Sequence, residues 1–142
     1  MDIPVTSTEV KQKARSLGFH KVGIAAVDVD HHDSAEQNLK AWLALGYQAD
    51  MAWMANPRRL DIRGCMPEVK SVICLALNYY TPHQRPENPE YGKISRYGWG
   101  RDYHKVMHKK LKELTFWLQA QAEEIQVRYY ADTGPVQDKV WA

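Results

Sequence analysis

Asp132 is the residue whose place in the sequence best suits a reacting group. It follows the apolar segment 126–131 and precedes Thr133, Gly134 and Pro135. A side chain between a strand and a helix can point into the cleft at the carboxyl end of a sheet. An aspartate before Thr-Gly-Pro is also typical of a turn or a helix cap, and the local sequence by itself favours the cap.

Two pairs of histidines have spacings to compare with metal sites. His104 and His108 lie one turn apart on a predicted helix, a spacing that zinc sites use. No third ligand accompanies them, and the neighbouring lysines would repel a divalent cation. The adjacent residues His31 and His32 have still less support as a metal-binding pair. We therefore predict no metal site in this chain.

Basic residues gather in two groups that could contact phosphate. The first group is Arg58, Arg59 and Arg63, and the second is Lys93, Arg96, Arg101, Lys105, Lys109, Lys110 and Lys112. A solvated helix face explains the lysines taken alone. Both groups together favour a surface that contacts nucleic-acid phosphates, and the interleaved Tyr97, Trp99 and Tyr103 could stack on exposed bases.

The composition limits the class of protein. With 142 residues, 44% hydrophobic residues and a net charge of +2, we expect one globular domain over residues 1–142, as a monomer. No apolar run approaches the roughly 20 residues that span a bilayer, and residues 1–9 lack a signal-peptide pattern. Cys65 and Cys74 fit neither a disulfide framework nor a metal-cluster spacing. These features predict a cytoplasmic protein.

Two predicted helices in the first half each begin with a capping box and end at a glycine. The residues are Thr6, Glu9 and Gly18 for the first helix and Ser34, Gln37 and Gly46 for the second. Between them, segment 21–27 (KVGIAAV) predicts a strand. Segment 47–66 mixes MAWM, Asn-Pro and arginines, which indicates a loop or short helical turns over a pocket.

The second half begins with the apolar segment 71–80 (SVICLALNYY), which predicts a central strand covered on both faces. Prolines and glycines predict a long loop over 81–100, and such loops are usually functional or disordered. Asp102 can cap a helix over 103–125, whose apolar residues recur every three or four positions. Segment 126–131 (QVRYYA) predicts a further strand.

The order of these elements favours an α/β (α+β) fold, with helices covering one sheet. Helical crossovers favour parallel strands, although a mixed sheet stays open. Pro135 suits the first turn of a last helix that ends early at Ala142. We therefore expect the chain to be a fragment or a shortened reading frame.

The segment 93–105, KISRYGWGRDYHK, resembles the SRYxxGRDYHK signature of the epoxyqueuosine reductases. Segment 130–136, YADTGPV, resembles the VDSAP or VDTG segment of that family and follows at the expected separation. Upstream, GFHKVGIA, GYQADMAWM and PEVKSVICLALNYY match in the same order. The resemblance thus covers nearly the whole chain.

The resemblance implies a function and a set of cofactors. The family reduces epoxyqueuosine to queuosine at the wobble position of tRNA, the last step in making that base. It uses cobalamin and two 4Fe-4S clusters, whose cysteine ligands this chain lacks. The implied fold is a truncated, nitroreductase-like cobalamin-binding domain, which a ferredoxin-like module follows in the family.

Three site residues follow from the resemblance. Asp132 takes the place of the family's proton donor and also belongs to its cofactor-binding residues, although Ala131 replaces the usual valine. Arg59 corresponds to an arginine that contacts cobalamin, and its neighbour Arg58 takes this place if the alignment shifts by one residue. Ser95 corresponds to a further cobalamin contact. The implied partner is tRNA that carries epoxyqueuosine.

Two functions of other kinds stay open beside this one. The chain could be a noncatalytic module that binds RNA or a corrin, or a flavin-dependent enzyme related to nitroreductases. The KISRYGWGRDYHK segment favours the cobalamin family over the flavin enzymes. Because the chain has no cluster ligands to deliver electrons, we expect that it does not reduce epoxyqueuosine by itself.

Overall fold

The computed structural model describes residues 5–27 and 33–142, so His31 and His32 lie outside the described residues. The helices are α1 (Ser7–Ser16), α2 (Asp33–Ala44), α3 (Tyr103–Gln119) and α4 (Asp138–Trp141), and the strands are β1 (Lys21–Ala26) and β2 (Ser71–Ala76). Four 3-10 turns cover Ala52–Ala55, Pro57–Arg59, Ile62–Gly64 and Arg96–Gly98. None of the helices in these ranges is long and apolar enough to cross a membrane.

The capping box predicted for α1 is confirmed. The Glu9 backbone N–H donates to the Thr6 hydroxyl at 3.3 Å, and the Thr6 N–H donates to the Glu9 carboxylate at 2.8 Å. These two bonds satisfy donors that the first turn of a helix leaves without an intrahelical partner.

Both predicted glycine stops are confirmed as Schellman motifs. At the end of α1 the Gly18 N–H donates to the Arg15 carbonyl, and the Phe19 N–H donates to the Ala14 carbonyl. Gly46 repeats this pattern after α2. The motif needs a left-handed residue, and the φ angles of Gly18 and Gly46 are +89° and +70°. The start of α2 differs from prediction, because the helix begins at Asp33 and Ser34 lies inside its first turn.

Strands β1 and β2 form a two-stranded sheet. The His20 N–H donates to the Ala76 carbonyl at 2.9 Å, and the Val27 N–H donates to the Lys70 carbonyl at 3.0 Å, so the strands are antiparallel. Residue 27 faces residue 70, and the connection therefore starts and ends at the same end of the sheet. The expected parallel crossover and the central position of the second strand are thus wrong for the described residues.

The apolar segment 71–80 is only partly a strand. β2 ends at Ala76, and the Asn78 N–H then donates to Nδ1 of His20 at 3.1 Å instead of continuing the ladder. Tyr79 and Tyr80 are 64% and 67% exposed. Their rings take part in ring and cation contacts described below, which explains apolar residues that cover no core.

Three predictions for the end of the chain are corrected. Helix α3 ends at Gln119 rather than 125, because the Gln121 N–H donates to the Leu118 carbonyl and tightens the last turn. Segment 126–131 has an alternating burial pattern but pairs with no described strand, and it is not a strand. Helix α4 begins at Asp138 rather than at Pro135.

The chain divides into two compact units. The first contains residues 5–21 and 75–131, and the second contains residues 22–27, 33–74 and 132–142. In the first unit α1 packs against α3, and its buried side chains are Val10, Ala14, Phe19, Leu111, Leu114, Leu118 and Ala131. In the second unit the buried side chains are Val27, Leu39 and Cys65.

Candidate functional site

Consecutive 3-10 turns fix the backbone around Arg59 in the second unit. Asn56 caps the turn Pro57–Arg59 by accepting a hydrogen bond from the Arg58 N–H at 3.1 Å. Asp61 caps the next turn in the same way through the Arg63 N–H, at 2.8 Å. Gly64 lies so close to Arg58 that an added Cβ would stand 3.3 Å from its side chain. The two Asx caps fix the backbone on either side of Arg59 and thereby the direction of its side chain.

The Arg59 side chain makes two contacts within this unit. Its guanidinium lies 4.5 Å from the centre of the Trp53 ring, which is cation–π geometry. Its Nη2 donates to the Gly134 carbonyl at 3.3 Å. The Arg59 carbonyl in turn accepts a hydrogen bond of 2.7 Å from the Gln137 side-chain amide. Arg59 therefore forms hydrogen bonds to the segment that follows Asp132 through both its side chain and its backbone carbonyl.

Asp132 lies in the bent segment 131–136, and it does not follow a strand as we expected, because segment 126–131 is not one. Its φ angle is +64°, in the left-handed region that side chains other than glycine rarely adopt. Aspartate tolerates this region better than most residues. The Asp132 side chain is exposed, whereas Gly134 is buried. The backbone at Asp132 thus has a conformation that its surroundings must maintain.

A second carboxyl group, on Asp138, belongs to the same cluster. Burial raises the pKa of Asp138, the negative charge of Asp132 raises it further, and the Arg59 guanidinium lowers it. Asp132, Asp138 and Arg59 therefore interact electrostatically within one unit. Sequence reasoning missed both Asp138 and Gln137, because neither belongs to a motif whose spacing marks it.

The two cysteines do not form a reactive or metal-binding site. Cys65 is buried, and the Cys74 thiol donates to the Trp141 carbonyl at 3.1 Å. Burial raises the pKa of Cys74, and the charge of Asp138 raises it further, so its thiolate is disfavoured. Within residues 5–27 and 33–142, no three His, Cys, Asp or Glu side chains gather where they could hold a metal ion.

Ser95 belongs to the first unit, whereas Arg59 and Asp132 belong to the second. It precedes the 3-10 turn Arg96–Gly98, and its carbonyl accepts from the Gly98 N–H at 3.0 Å. Its exposed side chain lines a cavity of about 250 Å³. The other lining residues are Gln84, Arg85, Lys93, Ile94, Arg96 and Trp99.

Arg96 organises the aromatic part of the first unit. Its guanidinium lies 5.0 Å from the Tyr80 ring and 5.3 Å from the Trp99 ring, and it donates to the Thr81 carbonyl at 2.6 Å. The Trp99 indole N–H donates to the Ile94 carbonyl at 2.8 Å. These contacts fold the loop before α3 around one cation.

Tyr97 continues this aromatic surface. Its ring meets those of Tyr79 and Tyr103 edge-on, with centroids 6.4 and 6.1 Å away. Tyr79 and Tyr97 are more than half exposed. Both side chains are therefore largely open to solvent in the same unit as the cationic loop.

The basic residues of the second predicted group have different roles. Arg101, Lys105 and Lys109 are exposed near the start of α3. Lys110 instead donates to the Leu17 carbonyl at the end of α1, and Lys112 lies over the Phe116 ring. Only part of the group is therefore available as a surface for phosphate.

The histidine pair serves structural contacts in this structure. Nδ1 of His104 lies 2.8 Å from the Asp102 carboxylate, and the His104 ring stacks on Tyr103 with centroids 4.0 Å apart. His108 meets the Tyr129 ring edge-on, with centroids 5.6 Å apart. These partners explain both histidines without a metal ion.

Residues 59–133 match the family model described as epoxyqueuosine reductase QueG, DUF1730. The chain is 60% identical to an epoxyqueuosine reductase of Synechocystis sp. over 121 residues, which are 85% of this chain and 42% of that protein. It is 56% identical to the reductase of Atelocyanobacterium thalassa over 134 residues, which are 94% of this chain and 43% of that protein. The chain thus spans less than half the length of these relatives.

Solved structures of epoxyqueuosine reductases have the same fold. The Streptococcus thermophilus enzyme matches with a TM-score of 0.77 at 28% identity. A reductase bound to an epoxyqueuosine-modified tRNA-Tyr stem loop matches with a TM-score of 0.76 at 28% identity. The Bacillus subtilis enzyme with its catalytic aspartate loop swung out of the active site matches with a TM-score of 0.73 at 26% identity. Each match covers 93–94% of this chain and 36% of the solved one.

Proposed function

This chain belongs to the epoxyqueuosine reductase family, and from that premise we propose that it takes part in reducing epoxyqueuosine to queuosine in tRNA. The observation that carries the proposal is the hydrogen bond from Arg59 to the Gly134 carbonyl, which joins Arg59 to the segment that follows Asp132. Arg59 and Asp132 both lie within the residues that the family model matches. The same premise implies a cytoplasmic protein, since its substrate is tRNA. We expect it to act as a monomer.

The chemistry of Arg59 and Trp53 fits a large cofactor such as cobalamin. Trp53 is 55% exposed and offers an apolar ring face. The guanidinium beside it has five N–H donors, and one N–H on Nη2 already donates to the Gly134 carbonyl. The remaining donors suit the amide and phosphate oxygens at the rim of cobalamin. Arg59 therefore stays our predicted cofactor contact, and Ser95 stays a second one.

A bound cobalamin would supply the electron-transfer chemistry that no amino-acid side chain has. The contribution of this chain is a proton. Asp132 is exposed and has a left-handed backbone, and we propose that its carboxyl group protonates the epoxide oxygen as the carbon–oxygen bond breaks. Aspartate in water is ionised near neutral pH, so this role requires that the bound cofactor and substrate shield the carboxyl group from solvent.

The cationic and aromatic surface of the first unit is the proposed contact for tRNA. Arg96, Arg101, Lys105 and Lys109 supply positive charge for phosphates, and Tyr79 and Tyr97 offer ring faces to unpaired bases. The relative solved with a tRNA stem loop supports tRNA as the partner, and the charge and exposed rings lead us to propose this surface as the contact. Phosphate contacts position the RNA, whereas stacking favours single-stranded loops over duplex.

Visible spectroscopy on the purified chain tests the cofactor. Cobalamin and a flavin are added in separate titrations, and we expect a spectral change with cobalamin only. A change with flavin only would favour the nitroreductase-like alternative.

Turnover needs the parts that the longer relatives contain. Residues 1–142 should therefore replace the corresponding part of the Synechocystis sp. enzyme, which is 60% identical to this chain over the 121 residues that match. We expect this hybrid to form queuosine in modified tRNA. A folded hybrid that binds tRNA and cobalamin without forming product would contradict the proposed reaction and favour a noncatalytic binding module.

A further inference from the structure

We propose that Arg59 and Gln137 form a latch that holds the Asp132 loop in position. The latch consists of two hydrogen bonds, from Arg59 Nη2 to the Gly134 carbonyl at 3.3 Å and from Gln137 Nε2 to the Arg59 carbonyl at 2.7 Å. Arg59 is thereby a positioning residue in addition to its proposed contact with the cofactor. The inference rests on the proposed function, because it concerns the residue proposed as the acid.

The latch joins segments that are far apart in the sequence. Its two bonds span 75 and 78 residues, and both are partly buried. They engage the loop at residue 134 and the start of α4 at residue 137, so they fix the loop at two points. A partly buried hydrogen bond is costly to break when the freed carbonyl stays away from water.

The Arg59 end of the latch is itself rigid. Asn56 and Asp61 cap the turns on either side of it, and the guanidinium lies against the Trp53 ring. A side chain held by packing loses little further freedom when it forms a hydrogen bond. Arg59 can therefore act as a fixed anchor for the Asp132 loop.

The Asp132 loop needs such an anchor. Aspartate tolerates the φ angle of +64° better than most residues, but it adopts the extended and helical regions more often, so the surrounding contacts help to keep this conformation. Relaxation at this residue would redirect the side chain and the backbone on either side of it. The latch thus fixes the direction of the carboxyl group, which matters because a displacement of about 1 Å can cost a hundredfold in rate.

Backbone NMR relaxation on the 142-residue chain without cofactor tests the latch directly. The two variants are Arg59→Lys, which keeps the charge but loses the planar guanidinium, and Gln137→Leu, which removes only the amide donor. Arg15→Lys and Gln119→Leu are the matched controls at exposed helix positions.

We expect both latch variants to lower the order parameters of the Thr133, Gly134 and Val136 amides from about 0.85 to below about 0.6. The amides of Leu114 and Val27 should not change. Unchanged loop amides in both variants would overturn the latch. A loss of order throughout the chain would show that the bonds support the fold and not the loop, which would also overturn it.

A second measurement separates positioning from cofactor binding. In the hybrid enzyme, each latch variant should lower the single-turnover rate about three- to tenfold, as expected for one lost hydrogen bond, at unchanged KM for tRNA. Gln137→Leu should leave the Kd for cobalamin unchanged, because Gln137 has no proposed contact with it. A weaker cobalamin Kd in Arg59→Lys, with normal rates in Gln137→Leu, would reduce Arg59 to a cofactor contact.

The two proposals fail in different ways. If Asp132 is not the acid, its substitution leaves the rate unchanged while the loop amides still report the latch. If the latch is absent, the loop amides do not respond while Asp132 substitution still lowers the rate.

Discussion

Asp102 binds His104 twice at the start of α3. Its Oδ1 accepts a hydrogen bond of 2.9 Å from the His104 backbone N–H and lies 2.8 Å from Nδ1 of the ring. The side-chain hydrogen bond is the largest cause that lowers the pKa of Asp102, and the backbone bond is the next. The carboxylate is therefore favoured in the folded chain, where it caps the longest helix.

This cap predicts a dependence of stability on acid. A carboxyl group whose pKa is lower in the folded chain stabilises the fold above its unfolded pKa, and the contribution disappears as the pH falls through the folded pKa. We expect Asp102→Ala to lower the Tm at neutral pH, with a difference from wild type that shrinks as the pH falls below about 4. Thermal unfolding followed by circular dichroism across this range measures both effects. Asp50→Ala is the control, and an equal loss in both variants would contradict a specific cap.

Asp138 predicts the opposite dependence. Burial, the largest cause, raises its pKa, so this group favours the fold fully below its unfolded pKa and loses that contribution as the pH rises through the folded value. The free energy of unfolding of Asp138→Asn should therefore fall less than that of wild type as the pH rises from acid to neutral. Urea unfolding at a series of pH values provides the measurement. A steeper loss in the variant would show that ionised Asp138 stabilises the fold through Arg59.

Asp132→Asn should abolish the chemical step in the hybrid enzyme. The amide keeps the size of the side chain and tolerates the left-handed turn, but it cannot donate a proton as a carboxylic acid does. General acid assistance is worth about 10²- to 10⁴-fold, or roughly 3 to 5 kcal/mol of barrier. Single-turnover assays with chemically reduced enzyme isolate this step from electron delivery.

The control for this variant is Asp50→Asn, which changes an exposed aspartate in the same unit. Binding of cobalamin and tRNA should stay nearly unchanged in both proteins. A rate within a few-fold of wild type for Asp132→Asn would end the case for Asp132 as the acid. It would leave the residue as a turn former, whose loss costs about 1 kcal/mol of stability.

Binding of tRNA should depend on salt through the exposed cations near α3. Replacing Arg101, Lys105 and Lys109 by glutamate should weaken tRNA binding. The slope of log K against log salt should become less steep by about two or more, since each phosphate contact contributes about 0.7 to 0.9 to its magnitude. Fluorescence anisotropy with a labelled anticodon stem loop gives this slope. The control triple replaces Lys21, Lys40 and Lys70, and equal slopes in both triples would refute the surface.

Arg96 requires a separate variant, because the structure gives it a second role. Its guanidinium bonds to Thr81 and lies against Tyr80 and Trp99. Charge reversal at Arg96 would therefore disturb the loop as well as remove a cation. Arg96→Lys keeps the charge, so a loss of tRNA affinity in that variant alone would report loop structure and not charge.

Local signals predicted the caps at the two ends of α1 and the end of α2, whereas the start of α2, the end of α3 and the start of α4 differ from prediction. The capping box at Thr6 and the stops at Gly18 and Gly46 depend on side chains and φ angles within a few residues, and these are confirmed. The turns Pro57–Arg59 and Ile62–Gly64 within segment 47–66 also follow from local Asx caps. Such features are readable because no distant partner decides them.

The strands and the site were less predictable. Segment 126–131 has the alternation of a strand, but a strand exists only if a neighbour pairs with it, and the sequence does not name that neighbour. Likewise, Arg59 and Asp132 were singled out by resemblance, whereas their link through Gly134 and Gln137 depends on contacts across 75 and 78 residues. Nothing in the local sequence encodes that distance.

The antiparallel pairing of β1 with β2 has a practical consequence for handling the protein. In the part of the chain that the structure describes, each strand has one side with no neighbouring strand. Open edges of this kind can pair with other polypeptides, and charged residues discourage it. Lys21 begins β1 and Lys70 directly precedes β2, so replacing both lysines by serine should make concentrated samples aggregate more readily.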